Sequence, residues 1–353
     1  MEAKGLFNVA RKEFIDHLTS RKFIIILVLF LIISAVAMHQ GVGEYNEALE
    51  HYKERISQIG EEEGPGPQVM PEKPSILLVF QIIYEIMPLL GAVLAIAMGF
   101  DLITREKESR SLKSLLSHPV YRDEIINGKA LGGILALVFA IGIAFIILFA
   151  MLLIFSIVPG MNEFVRIMLF GAVTVLCLLT YFSIALMTSS VSENSGKSFI
   201  YALIIFFAIT LFVPMVGDMV AESMAGERPE PPDVPQYESE IPSPSSANEN
   251  EPGEPVVVPL KRVSVNEEEW QRYEEELGAY WEKRFAIYDA YQVIMPDRNF
   301  NKFSRVVVNP YAYGETSIRE SLEKVWKNIF ALIIFPVIFF AIAYIKFMRL
   351  DIR

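Results

Sequence analysis

Six apolar runs, each long enough to cross a bilayer, constrain this chain more than any other feature of it. A spanning helix needs about 20 predominantly apolar residues. Lipid offers no partner to an unpaired backbone group, so segments of this kind cross as helices. On apolar content the spans are placed at 23–40, 76–103, 130–158, 164–190, 198–221 and 327–346. The first contains Phe23-Ile-Ile-Ile-Leu-Val-Leu-Phe-Leu-Ile-Ile33. At about −0.3 to −0.6 kcal/mol per such residue, it inserts with several kcal/mol in its favour. It is longer than a signal-peptide core and runs into His39-Gln-Gly-Val-Gly-Glu44 rather than a small-residue cleavage site, so it is read as a retained helix. The fold class expected is an all-α integral membrane protein with six transmembrane helices.

Charge orients these spans. Lys4, Arg11, Lys12, Arg21 and Lys22 precede the first. Arg105, Lys107, Arg110, Lys113, Arg122 and Lys129 lie between the second and third, and Lys346, Arg349 and Arg353 follow the last. Six crossings place all three groups on one side, which the positive-inside rule makes cytoplasmic. The opposite side receives two acidic loops, 41–75 and 222–326, whose excess of acids accounts for the net charge of −11. Both termini, including the tail 347–353, are expected in the cytoplasm, and the plasma membrane is the expected location. The single cysteine, Cys177, falls inside a span, so no disulfide can staple the external loops.

Patterning within the connecting segments divides them further. Over 1–22 the residues Leu6, Phe7, Ala10, Phe14 and Leu18 share one helical face, which predicts an N-terminal elbow helix lying at the interface. In the first external loop, Tyr45, Leu49, Tyr52, Ile56 and Ile59 recur at helical spacing until Gly60 and Gly64-Pro-Gly-Pro67. The second external loop opens with a Pro-, Glu- and Ser-rich stretch, 227–259, whose composition is that of a disordered linker. A helix is expected over 266–295, where Trp270, Tyr273, Leu277, Tyr280, Ile287, Tyr291 and Ile294 fit a heptad seam broken by Arg284. Residues 299–314 read as irregular, and 316–327 as a polar helix leading into the last span.

The charged segment 104–129 sits between two spans. Leu112, Leu115 and Leu116 form the apolar edge of a short helix that His118-Pro119 ends, because the residue before a proline is pushed out of the helical region. An amphipathic return then leads through Gly128-Lys129 into the third span. An apolar edge of this size can dock into a groove on a soluble protein.

The strings Glu108-Ser-Arg-Ser-Leu112, Leu115-Leu-Ser-His-Pro-Val-Tyr-Arg122 and Glu124-Ile-Ile-Asn-Gly-Lys129 resemble the coupling region of type-2 ABC exporter permeases. The six-span layout, the elbow helix and the C-terminal Arg349-Leu-Asp-Ile extend the resemblance over most of the chain. Arg110 and Ser111 depart from the Gly and Thr common in that family, and the long acidic external loop is not part of its usual pattern. The resemblance implies a permease subunit that pairs with a second permease and receives force from a separate ABC ATP-binding subunit. ATP and Mg would then reside on that partner, with no cofactor on this chain. Contact would be made by Leu112, Leu115, Leu116, Pro119 and Glu124, with Glu106, Glu108, Arg110 and Arg122 as an ionic rim. It further implies an exporter, whose apolar spans suit a lipid, amphiphile or drug-like substrate. The readings left open beside it are an ion-exporting or metal-site-maturation ABC permease, and a non-transporting mechanotransmitter that signals to an extracellular partner.

Catalytic chemistry finds little support. Gly196-Lys197-Ser198 resembles the end of a P-loop, but Val191 occupies the position of its first glycine. The four histidines are scattered, no HExxH or paired-cysteine motif occurs, and neither a metal nor a nucleic-acid partner is expected. Two acids fall within the second span. Glu85 must face protein or water, since a mid-bilayer charge costs roughly 2.5 to 3.5 kcal/mol, which makes it either a protonated acid bonded to a neighbouring helix or a path or gate residue. Asp101, nearer the end, is expected to pair with Arg105 four residues on.

Overall fold

The structure, a computed structural model, describes residues 3–61, 71–109, 121–232, 267–308 and 317–350. In chain order the helices are α1 (Ala3–Thr19), α2 (Arg21–Glu61), a 3-10 turn (Ile76–Phe80) and α3 (Gln81–Gly99). There follow α4 (Thr104–Glu108), α5 (Arg122–Ile154), α6 (Met161–Val191) and α7 (Ser195–Phe207). A π-turn (Ala208–Phe212) joins α7 to α8 (Val213–Ala225), and then come α9 (Glu267–Gln292), α10 (Pro296–Val308) and α11 (Ile318–Met348). Six continuous helical segments are long and apolar enough to cross a membrane: Arg21–Ile59, Ile76–Glu108, Arg122–Ile154, Met161–Val191, Ser195–Ala225 and Ile318–Met348. The protein is therefore an all-helical, multi-pass membrane protein.

Residues 1–214 and 291–353 form one compact unit. Its central helix is α6, which packs against α3, α5, α7, α10 and α11. Phe170 of α6 sits among three other rings, 6.1 Å from Phe80, 5.8 Å from Phe145 and 5.7 Å from Phe300. Close approach of helices is bought with small residues, as expected where lipid supplies no hydrophobic drive to association. A Cβ on Gly99 of α3 would lie 2.7 Å from Ala185 Cβ and 2.9 Å from the Phe182 carbonyl of α6.

Three local features follow from chemistry near helix ends and prolines. Asn194 begins α7, its side chain accepting from Lys197 N at 2.8 Å. Ser317 and Glu320 form a reciprocal capping box at the start of α11. Pro214 has no N–H to give the carbonyl four residues back, that of Thr210, and the helix widens into the π-turn around that residue.

Two expectations need correction and one needs redrawing. Residues 299–308 are not irregular: they belong to α10, whose Phe300, Phe303, Val306, Val307 and Val308 are all buried. The run Arg305-Val-Val-Val308 favours a strand by intrinsic propensity, but burial of one helical face against α3, α6 and α11 overrides it. Asp101 does not pair with Arg105: its carboxylate meets Lys22 Nζ of α2 at 2.8 Å. Residues 41–61, set apart as a separate helix, continue α2 without a break. Gly41 lies there against the backbone of Val79, which leaves no room for a side chain.

The second unit, residues 215–290, holds most of α8 and α9. Arg284, which interrupts the apolar seam of α9, donates to the Tyr280 hydroxyl at 2.9 Å and lies over the Trp281 ring. Its cation is thus absorbed by aromatic neighbours on its own helix. Residues 233–259 of the expected linker lie outside the described residues.

Candidate functional site

Lys107, Arg122 and Lys129 tie α1, α4 and the start of α5 to the ends of α6 and α11. Helix α1 lies along α5 because α5 presents Gly128 and Gly132 to it, the four-residue spacing that lets helix backbones touch. A Cβ on Gly128 would fall 2.7 Å from Val9 Cβ and 2.9 Å from the Leu6 carbonyl. A Cβ on Gly132 would fall 2.6 Å from Glu13 Cβ and 2.7 Å from the Ala10 carbonyl.

This contact brings together three buried charges. Lys129 Nζ of α5 donates to Glu13 Oε1 of α1 at 2.6 Å and to Glu106 Oε1 of α4 at 2.7 Å. Only 2 % of Lys129 and 7 % of Glu13 are exposed. Desolvating an ammonium and two carboxylates is expensive, and it is offset only when the geometry is close and hydrogen-bonded, as here. The cluster therefore fixes three chain segments in one arrangement.

The neighbouring residues extend the connection. Lys107 Nζ donates to the carbonyls of Ser190 (2.7 Å) and Ser192 (2.9 Å), closing the C-terminal end of α6. Glu108 accepts from Ser195 N (2.7 Å) and Ser195 Oγ (3.0 Å), a carboxylate placed on the N-terminal turn of α7. Thr104 and Ile103 donate backbone N–H groups to Ser189 Oγ. Arg122 Nη1 donates to the Met348 and Leu350 carbonyls at the end of α11. Glu124 accepts from Tyr121 N at 3.1 Å, which caps the start of α5.

Of the residues singled out in the sequence, Glu106, Glu108, Arg122 and Glu124 are thus each bonded to a helix end or to a buried charge. Arg110, Leu112, Leu115, Leu116 and Pro119 lie outside the described residues. Glu85 is exposed on α3 and takes no part in this cluster. Glu13 was not foreseen, nor was the role of Lys129 beyond its place in the Gly-Lys pair. The legible signal was Gly128 and Gly132, one turn apart, which marks a face for a second helix and so predicts a partner for the lysine between them.

His17, near the end of α1, has a buried Nε2 that finds no partner among the described residues. Burial holds its imidazole below the ordinary value of 6.5, with Lys129 acting the same way and Glu13, Asp101 and Asp16 opposing.

A family model described as "ABC-2 family transporter protein" matches residues 7–352. No curated protein matches the chain.

Proposed function

Because this chain belongs to the ABC-2 transporter family, we propose that it is the permease subunit of an ABC exporter, driven by a separate ATP-binding subunit that pushes on residues 104–129. It is a membrane transport component and not itself a catalyst. In this reading the basic end of the bundle faces the cytoplasm of a plasma-membrane protein, both termini included. ATP and Mg would be held by the partner, and a second permease subunit would complete the path.

The observation that carries the reading is the Lys129 cluster. Glu106 stands just after the second span and Lys129 just inside the third, so their ion pair closes the neck of the segment between them. A force on that segment then reaches α1 through Glu13, α6 through Lys107, α7 through Glu108 and α11 through Arg122. Linked rigid helices with few soft joints are what a push at one end needs to move the other. The substrate class is a lipid, amphiphile or drug-like molecule. Glu85, an exposed acid within a span, is a candidate path or gate residue, since exposing a carboxylate to lipid is costly.

The test is co-purification with the ATP-binding subunit, followed by ATP-dependent accumulation in inside-out vesicles. Replacing Leu115 and Leu116 by Glu should abolish both. ATPase binding that survives this double change would remove the docking assignment, and hydrolysis without flux would remove the exporter.

A further inference from the structure

Helix α10 reaches from the start of α6 to its middle. Near its C-terminal end the Val307 carbonyl meets Arg166, in the second turn of α6. At its other end the Pro296 carbonyl accepts from Cys177 Sγ at 3.9 Å, and Cys177 lies near the midpoint of α6. The first turn of α10 is thus placed half-way along a spanning helix. Short helices that begin at this depth are where membrane transport proteins build sites for small charged ligands.

The backbone entering that turn is well satisfied. Asn299 Nδ2 donates to the Val293 carbonyl at 2.8 Å and to the Met295 carbonyl at 2.9 Å, and Asn328 Nδ2 holds the Asn299 Oδ1 at 2.7 Å. The side chains beside it are not. Tyr181 Oη, Thr210 Oγ1 and Asp297 Oδ1 are buried, and none of the three closes a hydrogen bond among the described residues. They belong to three elements: α6, the π-turn and α10. Tyr181, only 1 % exposed, stands between the other two. Its ring packs on Phe206 of α7 at 5.6 Å. Its hydroxyl lies beside the Thr210 side chain and the Asp297 backbone, within electrostatic reach of the Asp297 carboxylate. Thr210 itself sits in the widened turn, a local geometry frequent at functional sites.

Charge decides which ligand suits these oxygens. Asp297 forms no ion pair among the described residues, and the cation that acts on it is the exposed Arg298 next in sequence. A buried carboxylate without a counter-ion is costly. One positive charge among the three oxygens would satisfy all of them, whereas an anion would be repelled by Asp297. One carboxylate balances one unit of charge. No group of three His, Cys, Asp or Glu that would suit a multivalent metal is found among the described residues.

We propose that Tyr181, Thr210 and Asp297 bind a small monovalent cation, either an alkali ion or an ammonium group, which ties α6, the π-turn and the first turn of α10 together. The site lies within one compact unit of the chain. Its existence does not depend on the permease reading above.

Full-length protein in maltoside micelles tests this at neutral pH and constant ionic strength, with choline chloride progressively replaced by NaCl, KCl or propylammonium chloride. Choline is the control, because its quaternary nitrogen is too bulky to sit among three oxygens. A ligand that binds the folded state alone raises the thermal midpoint saturably, and such a rise over choline is expected. A response to NaCl or KCl identifies an alkali ion, and a response to propylammonium an ammonium group. Asp297→Asn keeps the side-chain shape and should abolish the rise. Thr210→Val, nearly isosteric, should raise the half-maximal concentration at least tenfold. Hydrogen exchange across 296–300 should slow on cation addition in the parent and stay constant in Asp297→Asn. No cation exceeding choline, or an equal rise in Asp297→Asn, would overturn the proposal. An unaltered response in Thr210→Val would do the same, since the π-turn would then take no part. A midpoint that follows pH through Asp297 and ignores the cation would make this a protonation site, and would overturn it as well.

Discussion

Lys129 Nζ lies 2.7 Å from Glu106 Oε1, so the two ends of a long charged connection between spans are joined through a buried ion pair. Glu13 completes the contact from the N-terminal helix. The ion pair holds the two described ends of that connection together, and the expectations below follow from it and from its neighbours.

Lys129→Met should destabilise the folded chain by about 3–5 kcal/mol, because it leaves two carboxylates buried without a cation. The thermal midpoint of purified full-length protein reads this directly. Adding Glu13→Leu and Glu106→Leu to the same chain should recover much of the loss, since an apolar cluster of similar volume needs no counter-charge. A single variant that melts like the parent would show that the ion cluster contributes nothing to holding these helices.

Gly128→Val and Gly132→Val should each push α1 off α5, since the added atoms meet backbone carbonyls that cannot rotate away. Overpacking of this kind costs about 1–3 kcal/mol. Gly142→Ala, farther along α5 where nothing lies within 4 Å, is the matched control and should be neutral or slightly stabilising. Cross-linking of cysteines introduced at Val9 and Ile125 would report the separation. Equal cross-linking in all three variants would argue against glycine-mediated contact.

Arg166 and Asn328 should anchor α10. Arg166 Nη1 donates to the Val307 carbonyl at 3.1 Å, and Asn328 Nδ2 donates to Asn299 Oδ1 at 2.7 Å, both within buried surroundings. Arg166→Met or Asn328→Leu leaves a buried acceptor unmet, at about 1–3 kcal/mol each. Hydrogen exchange across 296–308 should accelerate while exchange in α5 stays constant. Unchanged protection of α10 would count against the anchor.

His17 should make the chain less stable in mild acid. Its folded imidazole resists protonation, chiefly through burial, while the unfolded one titrates near 6.5. As pH falls below that value the unfolded state takes up a proton that the folded state refuses, so stability drops until the folded value is passed. Melting points taken from about pH 7.5 down to about 5.5 should fall, and His17→Gln should flatten that slope. An identical slope in the variant would assign the acid sensitivity to other groups.

Much of this architecture was legible because lipid simplifies the problem. A run such as Phe23–Ile33 has one stable solution in a bilayer, a helix, and no neighbour is needed to decide it. The charged segment was legible for a related reason: so many cations between two spans have few places to go. The site was legible only in part. Glu106 and Glu108 stood out as acids in a charged connection, but nothing local indicated that one would be buried against Lys129 and the other would cap α7. The helix over 296–308 was missed because its three consecutive valines argue for strand, and its amphipathic face has meaning only once α6 and α11 supply a surface to cover.

The chain's order of residues determined, unaided, that six helices cross a membrane and which of their connections are basic, because insertion energy and charge are sums over local composition. Only the tertiary structure decided which charges meet. Asp101 chose Lys22 over Arg105, and Lys129 drew in a glutamate from the N-terminal helix, because an ion pair in a poorly solvated interior is governed by distance in space, and that distance is set by where glycines let helices approach.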